Sequence, residues 1–202
     1  MKTLLMAFLM LLAAPLDVLA EEIAPDLLIR RVSDEVLSAL RNDPALRGGD
    51  LAKLAALADA KIVPYLDVAR ATRSAVGAAW RRATPAQQEE LVREFRTLLV
   101  RTYSGALASY RDQALVVLPL RVRASETEVT VRSQIRQSGA EPVVIEYDME
   151  KSGDAWKVFD IRVAGISLVA TYRTAFAEEV RNNGIDGLIA SLSRKNRQVA
   201  SR

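Results

Sequence analysis

The chain has 202 residues, a formal net charge of +3, and neither histidine nor cysteine. These two absences exclude Ser-His-Asp and Cys-His catalytic triads, thiol redox chemistry, disulfides and the usual zinc and copper ligand sets. The positive charge is spread along the chain rather than clustered, which argues against a nucleic-acid partner.

The N-terminus has the pattern of a secretory signal peptide. Lys2 precedes an apolar run over 4–12, and Val18-Leu19-Ala20 is typical of a cleavage site. The run is shorter than the roughly 20 residues that a transmembrane helix needs. We therefore predict a signal peptide over 1–20, cleavage near Ala20, and a single domain over 21–202.

The first third of the mature chain predicts short helices. Apolar residues at helical spacing indicate a helix over 26–40. Asp50 can cap a second helix that runs through Leu57, and Asp67 can cap a third that runs towards Trp80.

A longer helix is predicted to begin at Thr84-Pro85-Ala86-Gln87. This segment supplies an N-cap hydroxyl, a proline at the first helical position and a glutamine that can complete a capping box. Apolar residues then repeat with the helical period from Leu91 to Tyr110, so one long face is expected to be buried. Gly105 within it costs roughly 1 kcal/mol relative to alanine. Either a packed helix or a ligand is therefore expected close to that backbone.

The pattern changes to period two from Leu115, which predicts antiparallel strands in meander order. Pro119 places a bulge or a sheet edge in the first of them. The sheet is expected to end at Gly165, and two helices separated by Asn183-Gly184 are expected to close the chain. The predicted strands are 115–123, 129–135, 143–149 and 156–163, and the predicted helices are 166–182 and 185–197. Helices, a meander and helices again indicate one α+β domain.

Few residues are candidates for proton transfer, because the chain lacks histidine. Each candidate also has a structural interpretation: Asp67 is a helix cap, Asp148 falls on the solvent side of its strand, and a tyrosine among aliphatic residues usually buries its ring. We therefore expect no enzyme. The candidates are Tyr65, Asp67, Tyr103, Tyr147, Asp148 and Asp160. The remaining signal is apolar surface, and periodicity does not distinguish a filled core from a hollow one.

Several ordered stretches of the chain resemble the MlaC family, the phospholipid-binding proteins of the maintenance-of-lipid-asymmetry pathway, also called toluene-tolerance auxiliary components. They follow the family's order and span most of the mature chain. The stretches are Ile62-Val63-Pro64-Tyr65-Leu66-Asp67, Ala83-Thr84-Pro85-Ala86-Gln87, Phe95-Arg96 with Leu98-Leu99, Thr102-Tyr103-Ser104-Gly105-Ala106-Leu107, Phe159-Asp160-Ile161 with Gly165-Ile166-Ser167-Leu168, and Gly184-Ile185-Asp186-Gly187-Leu188.

The resemblance implies a fold and a binding site. The fold would be similar to the nuclear-transport-factor-2 class, with a curved antiparallel sheet of about four strands wrapped by helices around a deep apolar pocket. Acyl chains would lie in the pocket. By resemblance, Tyr103, Val143, Ile145 and Ile166 would line it. Periodicity adds Leu99, Leu107, Tyr147 and Val169 to the predicted lining.

The resemblance also implies a function and partners. The chain would be a shuttle in the Gram-negative periplasm that moves phospholipid between the outer and inner membranes, with bound phospholipid as cargo and no cofactor. Its partners would be an outer-membrane lipoprotein and an inner-membrane substrate-binding ring attached to an ABC transporter. Two alternatives remain at this point: a carrier of another apolar lipid such as a hopanoid, and an enzyme similar to ketosteroid isomerase that works with a carboxylate and Tyr103.

Overall fold

The computed structural model describes residues 23–110 and 113–200, with side chains described through residue 198. The predicted signal peptide, 1–20, lies outside the described residues. The helices are α1 (Pro25–Asn42), α2 (Pro44–Arg47), α3 (Leu51–Lys61), α4 (Val68–Val76), α5 (Pro85–Leu107) and α6 (Leu168–Ala200), with 3-10 helices at Val63–Tyr65 and Gly77–Arg82. The strands are β1 (Ala114–Val117), β2 (Glu128–Arg136), β3 (Val143–Ser152), β4 (Ala155–Val163) and β5 (Ile166–Ser167).

The predicted helix caps are confirmed. The side chains of Asp50 and Asp67 each accept a hydrogen bond from the backbone N–H three residues further on, at 3.0 and 2.7 Å. Thr84 accepts from the backbone N–H of Gln87 at 3.2 Å, and the Gln87 side chain accepts from the backbone N–H of Thr84 at 2.9 Å. This reciprocal pair is a capping box, and it fixes the start of α5.

Several helix bounds differ from the prediction. The third predicted helix ends at Val76 rather than near Trp80, because Gly77 adopts a φ of 65° and the chain continues as a 3-10 helix. The helix α5 ends at Leu107 instead of reaching Tyr110. The short helix α2 was not predicted.

The strands form one curved antiparallel sheet in the order β1-β2-β3-β4-β5, so the predicted α+β class and meander are confirmed. The first predicted strand, 115–123, ends already at Val117, so the prediction that Pro119 places a bulge or an edge within it is wrong. The prediction that the sheet ends at Gly165 is wrong, since Ile166 pairs with Val163. Ala164 and Gly165 have φ values of 49° and 81°, the conformation of a tight hairpin turn, and this turn adds β5.

The two faces of the sheet have different chemistry. Val131 and Met149 are fully buried on the inner face, which α1 covers with Leu28 and Ile29. The outer face carries a network of ion pairs, as the predicted alternation implied. In it Arg132 contacts Glu146 at 2.8 Å, and Arg162 contacts Glu146 at 2.9 Å and Asp148 at 2.8 Å.

The buried apolar residues fall into separate clusters instead of one continuous core. The first is helical and joins α4, α5 and α6 around the fully buried Phe95. The second joins α1 to the inner face of the sheet, and the third joins α1 to α2 and α3. Within α6, Gly184 has a φ of 71° and a ψ of −175°, so the predicted break at Asn183-Gly184 is confirmed.

Candidate functional site

Two adjoining apolar cavities lie between these clusters. The helix-side cavity has a volume of about 190 Å³ and is bordered by α3, α4, α5, the start of α6 and part of β4. The sheet-side cavity has a volume of about 430 Å³ and lies between α1, the end of α5 and the inner face of the sheet. The apolar lining of both cavities, and the size of the sheet-side cavity, are typical of sites for apolar small molecules.

Five apolar residues line both cavities and therefore form the partition between them. The segment after α3 reaches this position because the backbone N–H of Asp67 donates to the carbonyl of Val158 at 2.8 Å, which holds the segment against β4. The partition residues are Ile62, Leu66, Leu107, Val158 and Ile161. Since only apolar side chains separate the two spaces, an apolar ligand with two chains fits the arrangement.

Local periodicity explains which side chains reach the cavities. Leu99, Tyr103 and Leu107 are four residues apart on α5, so they form one stripe along the helix. Ile145 and Tyr147 are two residues apart on β3 and point to the same inner face.

An extra residue in β4 brings that strand to the helix-side cavity. Met149 pairs with Val158 while the preceding residue, Asp148, pairs with Asp160, so Phe159 is the extra residue of a bulge. Bulges bend a strand and redirect its side chains. Residues 158–161 all line the helix-side cavity as a result.

The wall between α4 and the sheet is closed by a polar seam around Arg70. Its guanidinium lies 3.5 Å from the centre of the Phe159 ring. It also pairs with Glu128 at 2.8 Å and with Glu150. Burial raises the pKa of Glu150, and a hydrogen bond with Asp67 raises it further. The seam fixes the position of α4, and with it one side of the helix-side cavity.

Two of the tyrosines that line the cavities, Tyr103 and Tyr147, contact other hydroxyl groups. The Tyr147 hydroxyl lies 3.2 Å from the hydroxyl of the fully buried Ser133, and burial raises the pKa of Tyr147. Burial also raises the pKa of Tyr172 strongly, and a hydrogen bond with Tyr103 acts in the same direction. The hydroxyl groups of Tyr103 and Tyr147 therefore have polar partners within cavities whose lining is mostly apolar.

The two carboxylates that line the helix-side cavity are engaged by the fold. Asp67 caps α4. Asp160 accepts hydrogen bonds from the Ser167 hydroxyl at 2.5 Å and from the backbone N–H of Val169 at 3.1 Å, which ties β4 to the start of α6. Of the other proton-transfer candidates, Tyr65 lines the sheet-side cavity and Asp148 belongs to the outer ion-pair network.

Six of the eight residues expected to contact a lipid line the cavities. Leu99, Tyr103 and Val169 line the helix-side cavity, Ile145 and Tyr147 line the sheet-side cavity, and Leu107 lines both. Val143 and Ile166 line neither cavity and are 40% and 66% exposed. Both nevertheless lie on the inner face with Ile145. Val143 is two residues before Ile145 on β3, and Ile166 pairs with Val163, which in turn pairs with Ile145. Contact with a lipid stays a prediction for all eight.

Sequence reasoning missed the contribution of α1. Its apolar face forms much of the sheet-side cavity through Leu28, Ile29, Val32, Val36, Leu37 and Leu40. The helical spacing of these residues was visible, but spacing does not indicate whether a face meets other side chains or an empty space.

Within 23–110 and 113–200, no group of three or more carboxylate side chains is placed to hold a metal ion. None of the helices in these ranges is long and apolar enough to cross a membrane.

Comparison with known proteins gives consistent results. A protein-family model described as "MlaC protein" matches residues 30–194. The chain is 22% identical over 180 residues to the intermembrane phospholipid transport system binding protein MlaC of Haemophilus influenzae, covering 88% of this chain and 84% of that protein. It is 28% identical over 106 residues to the toluene tolerance protein ttg2D of Pseudomonas putida, covering 52% of this chain and 49% of that protein.

A solved structure shares the fold. It is the phospholipid-binding protein of Ralstonia solanacearum in complex with a phospholipid. The two structures superimpose with a TM-score of 0.80 at 41% sequence identity, and the match covers 88% of this chain and 99% of that chain.

Proposed function

The chain belongs to the MlaC family, and from that premise we propose that it binds a phospholipid in the two adjoining cavities and carries it between the outer and inner membranes. The observation that carries the proposal is the pair of apolar cavities with a shared partition, because two adjoining apolar spaces suit a ligand with two acyl chains. The likeness to a protein solved with a phospholipid supports the same cargo.

The energetics of transfer suit a carrier. Each buried methylene contributes about 0.8 kcal/mol, so burying two acyl chains is worth on the order of 20 kcal/mol relative to water. The same chains are equally well shielded in a bilayer. Exchange between a bilayer and the cavities is therefore nearly neutral in free energy, and the direction of transport must come from partners.

Each of the eight predicted residues has a place in this proposal. Those that line a cavity, namely Leu99, Tyr103, Leu107, Ile145, Tyr147 and Val169, would contact the acyl chains. Val143 and Ile166 would contact the lipid where the inner face of the sheet leaves the sheet-side cavity. Residues at the mouth of a cavity are expected to be exposed, as these two are.

Location and partners are proposed on the family's grounds. Removal of 1–20 by cleavage near Ala20 would deliver the domain to the Gram-negative periplasm. There it would exchange lipid with an outer-membrane lipoprotein and with an inner-membrane substrate-binding ring attached to an ABC transporter.

The alternatives have less support. None of the comparisons reported above names an enzyme or a hopanoid carrier. A mechanism similar to that of ketosteroid isomerase needs a carboxylate that is free to take up a proton. Asp67 and Asp160, however, both accept hydrogen bonds from backbone N–H groups. We therefore propose a carrier without a catalytic step.

Lipid exchange tests the proposal. Delipidated protein is incubated with vesicles of phosphatidylethanolamine and phosphatidylglycerol, or with vesicles that also contain a hopanoid, and is then separated and extracted. Recovery of phospholipid in both mixtures supports the proposal, and selective recovery of the hopanoid contradicts it. Tyr103→Glu should lose the lipid, because it places a charge in the helix-side cavity. Ile166→Glu tests in the same way whether the lipid contacts the mouth of the cavity. Because Ile166 is exposed, this variant should still fold.

A further inference from the structure

Arg96 carries the only positive charge among the described side chains that line the two cavities. It follows Phe95 on α5 and lies one turn before Leu99 and Val100, which line the same helix-side cavity. A phospholipid carries a negative phosphate next to its acyl chains. A carrier of such a molecule has a use for one cation at the edge of its apolar space.

The exposure of Arg96 indicates that it lies at an opening. Its side chain is 41% exposed, although it lines a cavity whose lining is mostly apolar. Arginine commonly buries its aliphatic stem against apolar surface and keeps the guanidinium in water. The stem therefore borders the helix-side cavity while the charged end marks its edge between α3 and α5.

Arg96 forms an ion pair, but no hydrogen bond, with a carboxylate of α3. The guanidinium lies 2.9 Å from Oδ1 of Asp59 on α3, and the Asp59 side chain is 43% exposed. That oxygen is itself buried and accepts no hydrogen bond, so the contact is an ion pair without hydrogen-bond geometry. The N–H groups of the guanidinium are therefore able to donate hydrogen bonds to another anion at the cavity edge.

We propose that Arg96 binds the phosphate of the bound lipid and so places the head group at the edge of the helix-side cavity. The inference rests on the proposed function and adds the position of the head group to it. The planar guanidinium can donate two parallel hydrogen bonds to phosphate oxygens, a geometry that a single ammonium lacks. The acyl chains then run inward along Leu99 and Tyr103.

The other arginine of this region does not suit the role. Arg70 pairs with Glu128 and Glu150, stacks on Phe159 and lines neither cavity. Recognition through Arg96 alone depends on the phosphate and not on the rest of the head group. The site should therefore accept different phospholipids and discriminate against diacylglycerol.

Binding of two soluble lipids tests the inference. Delipidated wild-type protein and Arg96→Gln are titrated with dioctanoyl phosphatidylglycerol and with dioctanoylglycerol. We expect Arg96→Gln to weaken binding of the phospholipid about tenfold, because a charge-assisted bidentate contact is lost. Binding of dioctanoylglycerol should be unchanged. The matched control is Arg93→Gln on the same helix, since Arg93 pairs with Glu90, is 62% exposed and lines neither cavity.

The outcomes separate the inference from the proposed function. A wild-type protein that binds neither lipid overturns both. Phospholipid binding that is equal in wild type and Arg96→Gln overturns the inference alone, and so does an equal loss for both lipids. Asp59→Asn should bind phosphatidylglycerol at least as tightly as wild type, because it removes the competing carboxylate. A loss matching that of Arg96→Gln would assign the effect to the ion pair and overturn the phosphate contact.

Discussion

Replacement of Ile145 by tryptophan tests whether the sheet-side cavity is the binding space. Ile145 lies on the inner face of β3 and lines this cavity, whose volume is about 430 Å³. An indole would displace roughly four methylenes of an acyl chain, which at about 0.8 kcal/mol each amounts to ~3 kcal/mol. We therefore expect affinity for a diacyl phospholipid to fall about a hundredfold. Because the ring occupies existing space, stability of the lipid-free protein should not fall.

The assay is titration of delipidated protein with phospholipid, accompanied by thermal unfolding. The matched control is Val144→Trp, since Val144 is the next residue on β3, points to the opposite face and is 38% exposed. It should bind as wild type does. Unchanged affinity in Ile145→Trp together with reduced stability would refute the reasoning, because that result describes a filled core.

Three other predictions concern the framework of the cavities. Phe95→Ala should reduce the free energy of unfolding by about 3–5 kcal/mol, since Phe95 is fully buried against two aromatic rings of α6, and urea denaturation checks this. Gly184→Ala should cost about 1–3 kcal/mol in the same assay, because its backbone conformation is essentially confined to glycine; an unchanged midpoint would contradict this. Hydrogen bonds from Arg132 and then Arg162 lower the pKa of Glu146, so its stabilisation is present above the ordinary glutamate pKa and is lost as pH falls through the lowered value. Thermal unfolding of Glu146→Gln should depend less on pH between about pH 7 and pH 3 than unfolding of wild type.

The features that could be predicted from sequence are those set by neighbouring residues. The caps at Asp50, Asp67 and Thr84 depend on side chains that reach backbone groups three residues away. The meander follows from alternation within each strand and from the short turns between strands. Such interactions are complete within a few residues of sequence.

Two other outcomes depend on backbone conformation and packing that the residue pattern does not specify. β5 exists because Ala164, a residue without special freedom at positive φ, completes a hairpin turn with Gly165. Gly105, expected to allow a close approach, faces Leu51 of α3, to which a Cβ would lie at an ordinary distance of 3.7 Å. At this position the neighbour is therefore a packed helix, which was one of the two expected interpretations.

The candidate site was predicted in part for the same reason. The stripe of Leu99, Tyr103 and Leu107 on α5 follows from spacing alone, and the structure places it on the cavities. The contribution of α1 and the division into two cavities depend on gaps between elements, which periodicity does not encode. Val143 and Ile166 share the predicted face but lie beyond the elements that cover it, and spacing carries no information on where that cover ends.

Native mass spectrometry of the protein purified from the periplasm, followed by extraction of any bound molecule, tests the central claim most directly. We expect one protein chain with a stoichiometric two-chain phospholipid. A lipid-free mass in several gentle preparations, or a bound molecule without acyl chains, would contradict it.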